Sequence, residues 1–152
     1  MGYFAHETAV IDDNVTKDIF FEACKTGNVK IVKLFINNTN NDINCQTPEG
    51  WTGLIISCFN QQEEIAKLLI ENGANINYIN PKGTTVFMYA KTPILNNQKD
   101  TVFLNYLLEN GANINALDIY NKTVLDYTIE YKADVLSEWM KSKGAKQSNN
   151  LN

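Results

Sequence analysis

The sequence predicts an all-α protein, a solenoid of about four helix-turn-helix repeats with hairpin-like turns between them. Three observations predict it. The heptapeptide ENGANIN occurs at Glu71–Asn77 and again at Glu109–Asn115. Gly73 and Gly111 lie 38 residues apart, and Gly144, opening the GAK of Gly144–Lys146, follows 33 residues after Gly111. Self-similarity at a period near 33 marks a repeat array. Finally, Ile65, Ala66, Leu68 and Leu69, and likewise Phe103, Tyr106 and Leu107, recur at helical spacing and give each second helix an apolar stripe. A lone helix pair cannot bury such a stripe, so the pairs must stack, and about three or more are needed for stability.

At 152 residues and 44% hydrophobic content the chain is long enough for one compact domain. The period divides it into an N-terminal lead at 1–16, a repeat domain at 17–146 and a flexible polar tail at 147–152, with repeats at about 17–46, 47–79, 80–117 and 118–146. Thr47–Ile79 is a full unit: a turn with Gly50, Thr52 opening a first helix, EIAKLLI as a second helix, then the GANIN loop. NPKGTTVFMYA from Asn80 and DIYNKTVLDYTI from Asp118 open the next two, and DIFFEACKTGNVKIVKLFINNTNNDINCQ at Asp18–Gln46 precedes them.

These residues resemble the ankyrin-repeat proteins over about Lys17 to Lys146. The TPLH tetrapeptide of that family stands here as TGLI at Thr52–Ile55, TVFM at Thr85–Met88 and TVLD at Thr123–Asp126. Each Thr keeps the ability to cap its helix, the His is absent each time, and Asp126 is spaced to complete a capping-box-like pair with Thr123.

In ENGANIN the Glu-Asn pair ends a helix, the glycine takes the left-handed position after it, and the following Asn hydrogen-bonds the turning backbone. An ordinary residue in that geometry would cost on the order of 1 kcal/mol, so the duplication reports a structural requirement. The 38-residue spacing leaves extra residues within Lys91–Asp100, where Pro93, Asn96 and Asn97 predict a lengthened loop. Cys24 and Cys58 occupy the same position in successive first helices and read as small buried apolar residues. Trp139 reads as core, and the polar final helix as a solvent-facing cap.

The formal charge is -4 and all 13 positive charges are Lys. An acidic chain without Arg is poorly suited to phosphate backbones, so nucleic acid is not the expected partner. No apolar run long enough for a membrane span is present, and MGYFAHETAVIDD lacks the features of a signal peptide. The expectation is a cytoplasmic protein without membrane association, with secretion as an effector left open. Cys24, Cys45 and Cys58 lack CxxC spacing and His6 is the sole His, so no metal is expected. Phosphate-cradling glycine motifs are absent, and Glu63-Glu64 read as a solvated face, so neither catalysis nor a cofactor is expected.

The resemblance instead implies a monomeric module that binds a folded protein partner through its turns and first helices, on a concave face. Carried onto this chain, the contact positions are Glu49, Trp51, Phe59, Lys82, Thr84, Tyr120, Lys122 and Tyr131. Trp51, Phe59, Tyr120 and Tyr131 form an aromatic series suited to anchoring a partner, while Trp51 equally suits packing over a neighbouring turn. Within this class stand an immunity-type inhibitor of a toxin and an effector engaging a host protein. A regulatory or stress-protection accessory binding an enzyme or small molecule is the rival.

Overall fold

The computed structural model describes residues 14–97 and 100–151, with side chains of 96 and 97 excepted. His6, the N-terminal lead up to residue 13, and part of the predicted insertion lie outside the described residues. Among the described residues eight α-helices follow in order: α1 Lys17–Thr26, α2 Val29–Asn37, α3 Gly53–Phe59, α4 Glu63–Glu71, α5 Val86–Asn97, α6 Val102–Glu109, α7 Val124–Glu130 and α8 Asp134–Ser142. Among the described residues the only extended pairings are isolated bridges, Gln46 with Thr52 and Ile79 with Thr85, each closing the turn before a first helix. The all-α repeat fold is the one the sequence predicts.

Contacts divide the chain into two compact units. The described residues of the first are 14–47 and 52–74, and those of the second are 48–51, 75–97 and 100–151. In the first unit, α1 packs on α2 and α3, and α4 packs on α3 and α2. Its core joins Phe20, Cys24, Val32, Phe35, Leu54, Ile55, Ile65 and Leu69, all essentially without solvent contact. Each such large side chain contributes about 1.5–3 kcal/mol by leaving water. The Phe20 and Phe35 rings stack at 3.9 Å between centroids. Gly53 lets α3 approach α1, because a Cβ there would meet Phe20 Cζ at 2.6 Å and Cys24 Sγ at 3.1 Å. Cys24 and Cys58 are free and buried as the sequence predicts, and burial, with a smaller push from Cys45, raises the Cys24 thiol to about 12. A thiol held that far from ionisation is a poor nucleophile.

In the second unit, α5 packs on α6 and α7, and α7 on α8. Val86, Phe87, Leu104, Leu107, Leu125 and Met140 form the centre of its core. Trp139, predicted as core, is only half-buried, and Lys143 Nζ sits 5.8 Å from its ring centroid.

The predicted caps are present. Thr52, Thr85 and Thr123 accept from the N–H groups of Ile55, Met88 and Asp126 at 3.2, 3.0 and 3.3 Å. At α7 the pair is reciprocal, because Asp126 Oδ2 accepts from Thr123 N at 2.9 Å. The second helices end as ENGANIN requires: Gly73 and Gly111 have φ of +96° and +95°, and Ala74 N and Ala112 N return to Leu69 O and Leu107 O at 3.0 Å. Gly144 repeats the geometry with φ of +91°. The corner between the two helices of a pair also takes a left-handed residue, here Gly27, Gln61 or Lys132.

A further expectation is corrected. The sequence predicts a loop over Lys91–Asp100, but α5 runs through Pro93 to Asn97, 12 residues against seven in α3 and α7. Proline in a helix removes the hydrogen bond to the Tyr89 carbonyl and costs on the order of 3 kcal/mol. The helix nevertheless continues, because Ile94 beyond the proline is buried and burial recovers a comparable amount. The polar segment after Lys146 is predicted as a flexible tail. Within it Ser148–Asn150 form a turn of 3-10 helix. Ser148 N donates to Asp126 Oδ2 at 3.1 Å, and Thr123 Oγ1 donates to Lys146 O at 2.7 Å.

Candidate functional site: the projecting turns of the second unit

Each turn of the second unit is organised by a side chain at its first position. Asn80 Oδ1 accepts from Lys82 N at 3.0 Å and Thr84 N at 2.9 Å. Asp118 Oδ1 accepts from Tyr120 N at 2.9 Å and Lys122 N at 3.0 Å. A short polar side chain that hydrogen-bonds its own following backbone is the standard means of folding such a turn. The second polar atom of each reaches a tyrosine nine residues on, in the following helix: Asn80 Nδ2 donates to Tyr89 Oη at 2.9 Å, and Tyr127 O–H donates to Asp118 Oδ2.

The left-handed corner of the turn falls on Gly50, Gly83 and Asn121, with φ of +88°, +73° and +59°. Gly83 is also a point of close approach, since a Cβ there would lie 2.9 Å from Asp118 Cα. Successive turns are joined by Ile119 N donating to Lys82 O at 2.9 Å. Gly50 bears on Pro81, whose Cδ would lie 2.6 Å from an added Cβ.

On this frame the sequence-predicted contact residues separate. Tyr120 and Tyr131 are 61% and 57% exposed, one at the tip of the last turn and the other at the end of α7. Between them in sequence, Lys122 and Glu130 form an ion pair of 2.7 Å, and the Glu130 carboxylate raises the Lys122 pKa. Glu49 and Lys82 are exposed at the tips of the two earlier turns. Trp51 is half-buried, its ring 4.8 Å from that of Tyr89, so it packs against α5. Thr84 is half-buried and hydrogen-bonds the Tyr89 hydroxyl. Phe59 is exposed, in the first unit.

A residue that the sequence reading did not single out is Lys91, on α5, only 8% exposed. Its Nζ lies 5.2 Å from the Tyr127 ring centroid and 3.5 Å from Thr92 Oγ1, and Lys122 Nζ lies 5.3 Å from the same ring. Burial lowers the Lys91 pKa to about 8, and the nearby Asp118 carboxylate resists that fall. Burial also raises the Tyr127 pKa, with Asp118 adding to the effect. The signal was in the repeat register, where Lys91 occupies the place of Cys58 and Ile129. Among the described residues there is no cluster of three or more His, Cys, Asp or Glu suited to a metal ion. No helix among them is long and apolar enough to cross a membrane.

Capped helix pairs, glycine-ended second helices and projecting turns locked by an Asx side chain define a helical-repeat protein. The family model for ankyrin repeats in three copies matches residues 20–118, and the chain belongs to that family. It is 35% identical over 63 residues to the scaffold protein ILK of Homo sapiens and of Mus musculus, a match covering 41% of this chain and 14% of those proteins. It is 35% identical over 71 residues to the Notch-regulated ankyrin repeat-containing protein of Xenopus tropicalis, covering 45% of this chain and 62% of that one. The chain thus spans about a seventh of one type of relative and less than two thirds of the other.

Proposed function

We propose that this chain is a non-catalytic protein-binding module and that its contact surface in the second unit is the turn face carrying Tyr120, Lys122, Glu130 and Tyr131. The observation that carries the reading is the exposure of two tyrosines beside an ion pair on a rigid, capped framework. Large aromatics cover much area with few rotatable bonds, and they are favoured anchors at interfaces. Glu49, Lys82 and Thr84 supply polar contacts around them, and Phe59 is a further contact on the first unit. Trp51 acts through its packing on Tyr89, which fixes the neighbouring turn.

The partner is a folded protein, met by a preformed surface with little ordering cost. The net charge of -4 favours a basic one, which suits an immunity-type inhibitor of a toxin; an effector engaging a host protein is the alternative. The scaffold role named for the ILK relatives agrees with binding without chemistry. The proposal takes the module as a cytoplasmic monomer that binds neither nucleic acid nor membranes.

The test is affinity capture and crosslinking with the wild-type chain beside a Tyr120→Ala, Tyr131→Ala double variant, with circular dichroism to verify folding. The reading expects a protein crosslinked through the turn face by the wild type and lost by the folded variant. Equal capture by both chains would refute this surface.

A further inference from the structure

The two copies of ENGANIN each contain an Asn-Gly step, Asn72–Gly73 and Asn110–Gly111, and all four residues are exposed. Asn-Gly is chemically the least protected of asparagine sequences, because glycine has no side chain to hinder attack by its own backbone nitrogen. In that reaction the Gly nitrogen attacks Cγ of the preceding Asn, and a C–N bond closes a five-membered succinimide. The side-chain nitrogen leaves as ammonia, its third hydrogen being the proton lost by the attacking amide. Water then opens the ring at either carbonyl, giving aspartate or isoaspartate with no change in oxidation state.

The folded helix ends oppose every part of this step. Asn72 Nδ2 donates to Leu68 O at 2.8 Å and Asn110 Nδ2 donates to Tyr106 O at 2.9 Å, which fixes the side chain back along its own helix. Gly73 N and Gly111 N donate to Ile70 O and Leu108 O at 3.1 Å, which engages the nucleophile. The ψ angles of Asn72 and Asn110 are 17° and 15°, and ring closure requires a large rotation that would break both sets of bonds. The open space around the glycines, with nothing within 4 Å of an added Cβ, shows that crowding is not what blocks the reaction. Hydrogen bonding and backbone conformation are.

We propose that Asn72–Gly73 and Asn110–Gly111 are latent deamidation sites, closed in the folded chain and opened by fraying of the α4 and α6 C-termini. The second site is held by a further side chain. Asn77 Nδ2 donates to Gly111 O at 2.9 Å, and Asn77 Oδ1 accepts from Asn113 N at 2.8 Å, so Asn77 grips the loop immediately after Asn110. Isoaspartate at these steps adds a methylene to the backbone at the helix cap and prevents its re-formation. The modification is therefore a permanent mark of a local opening.

The experiment follows isoaspartate at each site by peptide mapping of the full chain in mildly alkaline buffer. It compares native with urea-unfolded wild type, and native Asn77→Ala with native Asn115→Ala. The second variant removes the equivalent grip of Asn115 on Gly144 and leaves the Gly111 bond in place. The proposal expects conversion at both sites to be at least about tenfold slower in the folded wild type than in urea, as for groups exposed only by local opening. It expects Asn77→Ala to accelerate Asn110 selectively, with Asn72 unchanged, and Asn115→Ala to leave both at the wild-type rate. Equal rates in native buffer and urea would overturn the closed state. An equal rise at Asn72 and Asn110, or equal acceleration of Asn110 by both variants, would overturn the control by Asn77.

Discussion

The side-chain amide of Asn77 donates to the carbonyl oxygen of Gly111 at 2.9 Å, joining residues 34 apart in the sequence. Asn115 does the same to Gly144 at 3.1 Å, and Lys146 N returns a bond to Asn115 Oδ1 at 2.8 Å. The last residue of the heptapeptide therefore belongs energetically to the following repeat. Two bonds of this exposed kind contribute about 1–2 kcal/mol net. Asn77→Ala is expected to lower unfolding free energy by about that amount in a urea titration, and Asn77→Asp, which keeps the acceptor, by less. An unchanged midpoint for Asn77→Ala would show that water replaces both bonds.

Thr123 unites three functions, accepting from Asp126 N, donating to Lys146 O and sharing the capping box. Thr123→Ala is expected to cost about 2 kcal/mol, against about 1 kcal/mol for Thr52→Ala or Thr85→Ala, where a single cap bond is lost. Thermal or urea melts of the three variants provide the comparison.

The same box sets an acid dependence. Burial alone pushes the Asp126 carboxyl up, but the Thr123 and Ser148 groups donating to it more than offset this and hold it below its ordinary 3.8. The folded value is the lower one, so the stabilisation is fully present above pH 3.8 and is lost as pH falls through the folded value. Stability of the wild type is expected to drop in that acid window more steeply than that of Asp126→Asn, measured by urea unfolding at each pH.

Lys91 acts in the opposite direction. Burial holds its pKa near 8 against 10.5 unfolded, so the unfolded chain binds the extra proton between those values and stability rises with pH across them. Below pH 8 the penalty for a charged buried amine is fully present. Lys91→Met is expected to stabilise the protein at neutral pH by about 1–3 kcal/mol and to flatten the alkaline rise. A variant less stable than wild type at pH 7 would show that contact with Asp118 and Tyr127 outweighs burial.

At the turn corners, Gly83→Ala combines a φ of +73° with a Cβ 2.9 Å from Asp118 Cα, whereas Gly111→Ala meets open space and only the φ of +95°. Left-handed strain is about 1–2 kcal/mol. Gly83→Ala is expected to cost more than Gly111→Ala by calorimetry, and Asn121→Gly to be tolerated.

The legible parts of this chain were those fixed by local chemistry. The glycine after α4, α6 and α8 and the Thr before α3, α5 and α7 satisfy backbone groups within one turn of themselves, so their spacing alone revealed them. Pro93 misled because its local preference was outweighed by burial of Ile94, a tertiary effect. Lys91 was legible only by comparison with Cys58 and Ile129, since a lysine by itself reads as surface. Trp51 was ambiguous because its partner, Tyr89, lies in another repeat. Gln61, Asn121 and Lys132 hold left-handed conformations without glycine, and nothing in their identities except that of Asn121 foretells it.

The asparagine clasps span 34 residues in one case and 29 in the other, and yet close on equivalent atoms with nearly equal lengths. The difference of five matches the length of α5, 12 residues against seven in α7. Contour length and pitch are thus separate properties of the second unit: the clasp measures distance through space and is indifferent to how much chain is spent between its ends. Helix α5 is accordingly where sequence is gained between the ends of a clasp while the amide continues to meet the same carbonyl.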